Sequence, residues 1–320
     1  MTLTFRAAQR THERSIAPFR RFANPEVVCE GWYAVAPASA IGAAGVKRVR
    51  IGNRDLVVYR DRSGTLRGID RTCGHLGADL SRGTVVDKGL QCEFHNWCWG
   101  ADGSCTSGGG AAIGVRIGAY QVRERWGVVW VWAGTKPAYE LPEPEVENRA
   151  HLLRLPPQRL TCHGHVVLGN GLDLSHVMPV HGFQFEEDPA IEPEPPHRIS
   201  VNIHARFHAT LMRRVLGLAG RPARWRFTNI GPSLAWVRVF SPTPFELLWA
   251  ARPLADGTCE TRTFFFLPRW SALVRAVPMM IATTWADRPV LENINFHPGF
   301  VASDAVFARY AELVEATPEW

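Results

Sequence analysis

Apolar residues in the first half of the chain come in short bursts separated by turn-forming residues. Such runs at residues 31–35, 47–51, 55–60, 66–70 and 128–132 predict strands, with a hairpin-type turn at Gly52-Asn53. Further on, Ile199, Val201, Ile203, Ala205 and Phe207 alternate with polar or small residues, and strand-like runs follow at 224–230, 234–240, 245–251 and 261–267. Their short connections favour an antiparallel sheet. Helical spacing at 271–285 and 303–316 adds two helices beside it. Between the halves, Pro137, Pro142 and Pro144 stand among Glu140, Glu143, Glu145 and Glu147, a composition that suits an exposed linker. The expected organisation is a basic arm (1–24), an all-β domain (25–138), a linker (139–150) and an α+β domain (151–320). No internal repeat is seen.

Composition narrows the class. At 320 residues, 46% hydrophobic and 21% charged, the chain has enough apolar content for two packed cores. The longest apolar stretch, 270–289, is interrupted by Arg275, Pro278 and Asp287, so no membrane span is expected. The arm carries Arg6, Arg10, Arg14, Arg20 and Arg21 against Glu13 without the continuous apolar core of a signal peptide. A cytoplasmic protein is expected, with the arm packed on a neighbouring subunit or mobile. The net charge of +6 comes from scattered arginines, a pattern that does not suggest nucleic acid. Seven cysteines, four of them bunched at Cys73, Cys92, Cys98 and Cys105, suggest metal chemistry in a reducing compartment and not a disulfide framework.

The bunching contains a doubled motif: Cys73-Gly74-His75, sixteen residues, then Cys92-Glu93-Phe94-His95. Two loop tips that each present a thiolate and an imidazole match a [2Fe–2S] cluster with two Cys on one iron and two His on the other. A Cys₂His₂ zinc site normally pairs its cysteines first and sets its histidines on a helix. Cys98 and Cys105 read as buried free thiols, with extra ligands or a redox pair as the alternative. The glycines at 108, 109, 110 and 114 lack a phosphate-loop ending and read as a loop near the cluster.

A second constellation runs from Asn170 to His181. Asp173 and His176, three apart, share a helix face, whereas His176 and His181 would sit about 140° apart on an unbroken helix. Pro179 is expected to break or kink the helix and swing His181 back. Two His and one carboxylate on one face of an octahedron leave positions open for dioxygen and substrate. Asp173, Asp287, Glu292 and Asp304 are the candidate carboxylates, with Asp304 reading as a helix-start residue and Glu292 as part of a solvated face. Asn170 otherwise reads as a turn residue before Gly171.

Together the motifs resemble the α subunits of Rieske non-haem iron oxygenases over roughly residues 25–300. Ala78 and Glu93 stand where respiratory Rieske proteins carry a clamping cysteine pair, so the cluster resembles the lower-potential oxygenase type. Asn96-Trp97 replaces the family's usual Gly-Trp. Length places the chain nearer the α-only monooxygenases, such as dicamba demethylase and the ketosteroid hydroxylases. The resemblance implies a helix-grip (START-like) catalytic domain and a [2Fe–2S] cluster on Cys73, His75, Cys92 and His95. It also implies a mononuclear Fe(II) on His176, His181 and Asp287, with Asn170 close by and Asp173 bridging His176 to a cluster histidine, His95, across a subunit interface. The expected assembly is a homotrimer with inter-subunit electron transfer. The expected reaction uses O2 to hydroxylate or oxidatively demethylate a small organic substrate. The chain has no dinucleotide motif, so NAD(P)H would act only through a separate reductase or ferredoxin, for which the positive charge has a use. Met178, Phe240, Trp249, Phe265, Ile281 and Trp285 are candidates for a largely hydrophobic pocket. The rival readings are a Rieske electron-transfer or ligand-binding protein without a working mononuclear iron, and a structural zinc protein.

Overall fold

The computed structural model of the chain describes residues 19–107, 114–145, 151–189, 191–192, 194–208, 220–268 and 286–320. The N-terminal domain is all-β. Its strands are β1 (Gly31–Pro37), β2 (Val46–Ile51), β3 (Arg54–Arg60), β4 (Leu66–Asp70), β5 (Thr84–Val86), β6 (Gly89–Gln91), β7 (Cys98–Trp99), β8 (Cys105–Ser107), β9 (Ala119–Tyr120), β10 (Val122–Arg125) and β11 (Val128–Ala133). They form three antiparallel sheets, ordered β2-β3-β4-β9, β1-β11-β10 and β5-β6-β7-β8. The five strands expected here all form, each within two residues of its expected ends. Gly52 takes φ +57° at the predicted β2–β3 turn, a left-handed conformation that costs glycine little. The four strands of the last sheet are too short to show a period, and it is this sheet that carries the second cysteine loop.

The second domain is α+β. Strands β12 (His151–Arg154), β13 (Gln158–Leu160), β14 (Phe183–Phe185), β15 (Ile191–Glu192), β16 (Arg198–Phe207), β17 (Pro222–Ile230), β18 (Leu234–Ser241), β19 (Phe245–Pro253) and β20 (Cys259–Leu267) make one antiparallel sheet. Its main path runs β12-β20-β19-β18-β17-β16-β14. Across its inner face lie helix α1 (Gly164–Gly169), helix α2 (Leu174–His181), a helical segment at residues 286–293 and the C-terminal helix Ala305–Ala316. The last buries Val306, Phe307, Tyr310, Ala311, Leu313 and Val314, one apolar stripe at helical spacing, after a 3₁₀ turn at Ala302–Asp304. The helix expected at 271–285 lies outside the described residues. No helix among the described residues is long and apolar enough to cross a membrane.

An apolar joint fixes the domains to each other. Every residue of β11 is buried because its sheet is covered on both faces. Val129, Val131 and Ala133 point into the N-terminal core, while Trp130 and Trp132 join Trp32 of β1 against Trp236, Leu248, Phe264 and Phe266 of the second sheet. Alternation along β1 and β11 serves two cores at once. The expected exposed linker is only partly so: Tyr139 and Leu141 are buried in this joint, and the Trp32 indole donates to the Tyr139 carbonyl at 2.8 Å. The apolar residues between its prolines and acids outweigh the composition around them. Residues 1–18 of the expected arm lie outside the described residues, and its last residues pack within the chain. Phe22 is 4% exposed among Phe296, Phe307 and Tyr310 of its own chain. The Arg21 and Phe22 amides donate to Glu315 at 2.6 and 2.7 Å, so residues 19–24 are folded onto the second domain.

Candidate metal centres

The two Cys/His loops are built alike. In the first, after β4, the Cys73 amide donates to Ala78 at 2.8 Å and the Gly77 amide to Cys73 at 2.9 Å. In the second, between β6 and β7, the Cys92 amide donates to Trp97 at 2.8 Å and the Asn96 amide to Cys92 at 3.1 Å. Both turns need a left-handed residue, supplied by Gly77 at φ +80° and Asn96 at φ +58°. Asparagine is the residue that best tolerates this region after glycine, which accounts for the Asn-Trp in place of Gly-Trp. Cys73 and Cys92 are buried and face each other, while the imidazoles point outward, His75 half-buried and His95 exposed. The two imidazoles lie 4.6 Å apart, and His75 stacks on Trp97 at 4.1 Å.

This donor set fits a [2Fe–2S] cluster. His75 Nδ1 is buried with no hydrogen-bond partner among the described residues, a cost that ligation would remove. No disulfide clamps the loops, since all seven cysteines are free, and Glu93 instead pairs with Arg82. Cys98 is buried in β7 and Cys105 half-buried in β8. Neither belongs to the two ligand loops.

The second centre is assembled from three helical segments. Asn170 ends α1, and Asp173 caps α2 by accepting the Ser175 amide at 3.1 Å. His176 Nδ1 hydrogen-bonds the Asp173 carbonyl and lies 3.6 Å from its carboxylate, which leaves Nε2 as the lone-pair nitrogen. That Nε2 is 3.1 Å from His181 Nε2 and 3.6 Å from the Asp287 carboxylate, which is itself 2.9 Å from His181 Nε2. All three donor atoms fall within 4.8 Å of one another. Neighbouring ligands about 2.1 Å from one cation sit about 3 Å apart, so the residues fit a facial two-His, one-carboxylate site.

Pro179 does not break α2 as expected. The helix runs through to His181 and stops at Gly182, φ +60°, whose amide bonds the Met178 and Val177 carbonyls. Proline removes a single donor from a helix of barely two turns, and the carbonyl it deprives, on Ser175, belongs to an exposed residue. The histidines converge because their side chains reach from the first and last turns toward Asp287. Of the other carboxylates, Glu292 pairs with Arg288 at 2.7 Å, and Asp304 accepts the Val301 amide at 3.0 Å. Burial alone would raise the Asp173 carboxyl and lower His176. Their contact outweighs burial on both, so Asp173 is held below the usual carboxylate range and His176, with help from Asp287, above the usual imidazole one.

A cleft of about 800 Å³, its opening to solvent included, has His176, His181 and Asp287 in its wall. The rest of its lining is mostly apolar side chains of β16–β19, including Ile203, Phe227, Val237, Val239 and Trp249. A second cavity shares Asn170, Trp249 and Asp287 with the first and is also lined by Phe265. Trp249 and Phe265 therefore line these cavities. Met178 and Phe240 do not: they are 62% and 49% exposed and line neither cavity. Phe240 follows Val237 and Val239 out of phase on β18, so the strand turns it away from them. Ile281 and Trp285 lie outside the described residues. A further buried pair escaped the sequence reading: His163 and His165 meet edge to face, 4.3 Å apart, at the start of α1, and burial pushes His163 down to about 4.

The family model of the Rieske [2Fe-2S] domain matches residues 31–112, which contain both Cys/His loops. The chain is 29% identical over 280 residues to a cholesterol 7-desaturase of Bombyx mori, covering 77% of this chain and 59% of that protein. It is 33% identical over 131 residues to the oxygenase component of a 3-ketosteroid-9-alpha-monooxygenase of Rhodococcus rhodochrous, covering 39% of this chain and 35% of that one. It thus spans less than two thirds of the length of either curated relative. The caffeine-bound structure of NdmA from Pseudomonas putida CBB5 shares the fold, with a TM-score of 0.67 over 89% of this chain and 93% of that chain at 18% identity.

Proposed function

Because this chain belongs with the α subunits of the Rieske non-haem iron oxygenases, we propose that it is a terminal oxygenase component of the monooxygenase type. In this reading it uses O2 and electrons from a separate reductase or ferredoxin to hydroxylate, or oxidatively demethylate, a largely hydrophobic small molecule. The observation that carries it is the convergence of His176, His181 and Asp287 in the wall of an apolar cavity. Bound to these residues and to the two loops, Fe(II) supplies open coordination positions for dioxygen, and a [2Fe–2S] cluster supplies single electrons. The protein's part is to bind, orient and insulate. Asp173 holds the His176 ring through Nδ1 so that Nε2 faces the cavity, and Val237, Val239 and Phe227 exclude water around a bound substrate.

Two adjoining cavities that share Asp287 in their walls suit an elongated substrate better than a compact one. A cholesterol desaturase and a ketosteroid monooxygenase among the relatives make polycyclic sterols and steroids the class to screen first. We also assign a homotrimer in the cytoplasm, in which Asp173 of one subunit meets His95 of the partner subunit. Supporting this, His95 and Phe94 are exposed at the tip of their loop and the Asp173 side chain is 31% exposed.

The deciding experiment is a count of iron and acid-labile sulfide in anaerobically purified protein, repeated on His176→Ala. We expect about three irons and two sulfides per chain, falling to about two irons in the variant with the cluster spectrum intact. Two irons in both proteins under iron-replete conditions would overturn the oxygenase reading in favour of electron transfer.

A further inference from the structure

Trp99 is fully buried in β7, and its indole N–H donates to Cys73 Sγ at 3.3 Å. The Cys73 sulfur also receives the backbone N–H of His75, a donor that any sequence would supply in this loop. The tryptophan donor depends on a side chain, and a second residue makes room for it. A Cβ on Gly74 would stand 2.9 Å from the far edge of the Trp99 indole and 3.0 Å from Ile117. The Gly74 backbone is not left-handed, so its glycine serves space and not conformation. Gly74 and Trp99 therefore act as a pair, the small residue between Cys73 and His75 admitting the large ring that reaches Cys73.

A hydrogen bond to a ligating thiolate withdraws charge from sulfur. It stabilises the reduced, more negative cluster more than the oxidised one, and does so most strongly where water is excluded, as around Cys73 and Trp99. We propose that Trp99 is a positioning residue for electron transfer, raising the reduction potential of the [2Fe–2S] cluster through its N–H to Cys73, with Gly74 holding the indole within reach. Resting on the cluster assignment made above, the inference places the chain's potential above that of an otherwise identical cluster without this donor. It thereby adjusts the driving force for accepting an electron from the donor protein against that for passing it on.

The test is a redox titration of the iron-loaded full chain, followed by electron paramagnetic resonance, on the wild type, Trp99→Phe and Gly74→Ala. Iron and sulfide are counted in each sample. Trp99→Phe removes the donor and keeps an aromatic ring, and Gly74→Ala displaces the indole without removing it. Both are expected to lower the midpoint potential, by the equivalent of about threefold or more in the reduced-to-oxidised ratio at fixed poise, with cluster content unchanged. A wild-type potential in cluster-replete Trp99→Phe overturns the proposal. If that variant does not retain its cluster, an unchanged potential in Gly74→Ala overturns it instead. Wild-type protein that binds no reducible cluster is a different result, since it defeats the cluster assignment itself.

Discussion

Single residues at this site work through burial and a few short contacts. His163 shows what burial alone does. It is 7% exposed, its Nδ1 accepts the His165 amide at 3.1 Å, and its Nε2 has no partner among the described residues. Burial holds it at about 4, against an ordinary value of 6.5. The unfolded chain therefore takes up a proton that the folded one refuses, and stability is full above 6.5 and lost as pH falls toward 4. Between pH 7 and pH 5 the loss from this residue is roughly 2 kcal/mol, and His165, pushed well below 6.5 by the same burial and by His163, adds to it. Urea unfolding at the two pH values should show this slope, and His163→Asn, which keeps a capping side chain, should flatten it. Equal slopes in both proteins would count against the buried neutral imidazole. The Cys/His loops were legible in sequence because their donors are close along the chain and doubled. The His163–His165 pair was not, since its character comes from what packs over it, Phe22 among others.

At the scale of elements, the alternation of strands decides which side chains line the cavity. Strand β18 turns Val237 and Val239 into the cavity beside His176 and leaves Phe240 exposed. Val239→Phe should therefore raise KM for a bulky substrate about tenfold or more, while Phe240→Ala should leave kcat and KM within about twofold. A large change in Phe240→Ala alone would mean that the cavity is not where substrate binds. The sheet itself was readable from its alternation, strand by strand. Which apolar positions face the cavity was equally encoded, since Ile203, Phe227, Val237 and Val239 share the inward phase, but only pairing the strands shows that their phases coincide. Helix α2 was readable in its residues and misread in its shape. A proline in a helix of eight residues costs little when the carbonyl it strands belongs to an exposed residue, and side-chain reach replaces the expected kink.

At the scale of the whole molecule, the packing of aromatic residues between the domains has a consequence for electron flow. Trp32, Trp130 and Trp132 are buried against Trp236, Phe264 and Phe266, and the C-terminal residues bond back to the first domain, Trp320 to Val28 and Glu30 to Pro318, each at 2.8 Å. An apolar joint of this kind holds each domain in one orientation to the other, so the Rieske domain is not free to swing toward its own catalytic domain on each turnover. Electrons would then have to cross at fixed contacts, which the proposed head-to-tail trimer would supply between subunits. The expectation can be tested by mixing two inactive variants, His95→Ala, which lacks a complete set of cluster ligands, and His176→Ala, which lacks a complete iron site. If transfer runs between subunits, refolded or co-expressed mixtures at equal ratio regain activity. A junction is productive only when a His176→Ala subunit donates to a His95→Ala subunit, which random assembly gives at about a quarter of junctions. If transfer runs within a subunit, no chain in the mixture carries both centres, and activity stays at the level of the separate variants.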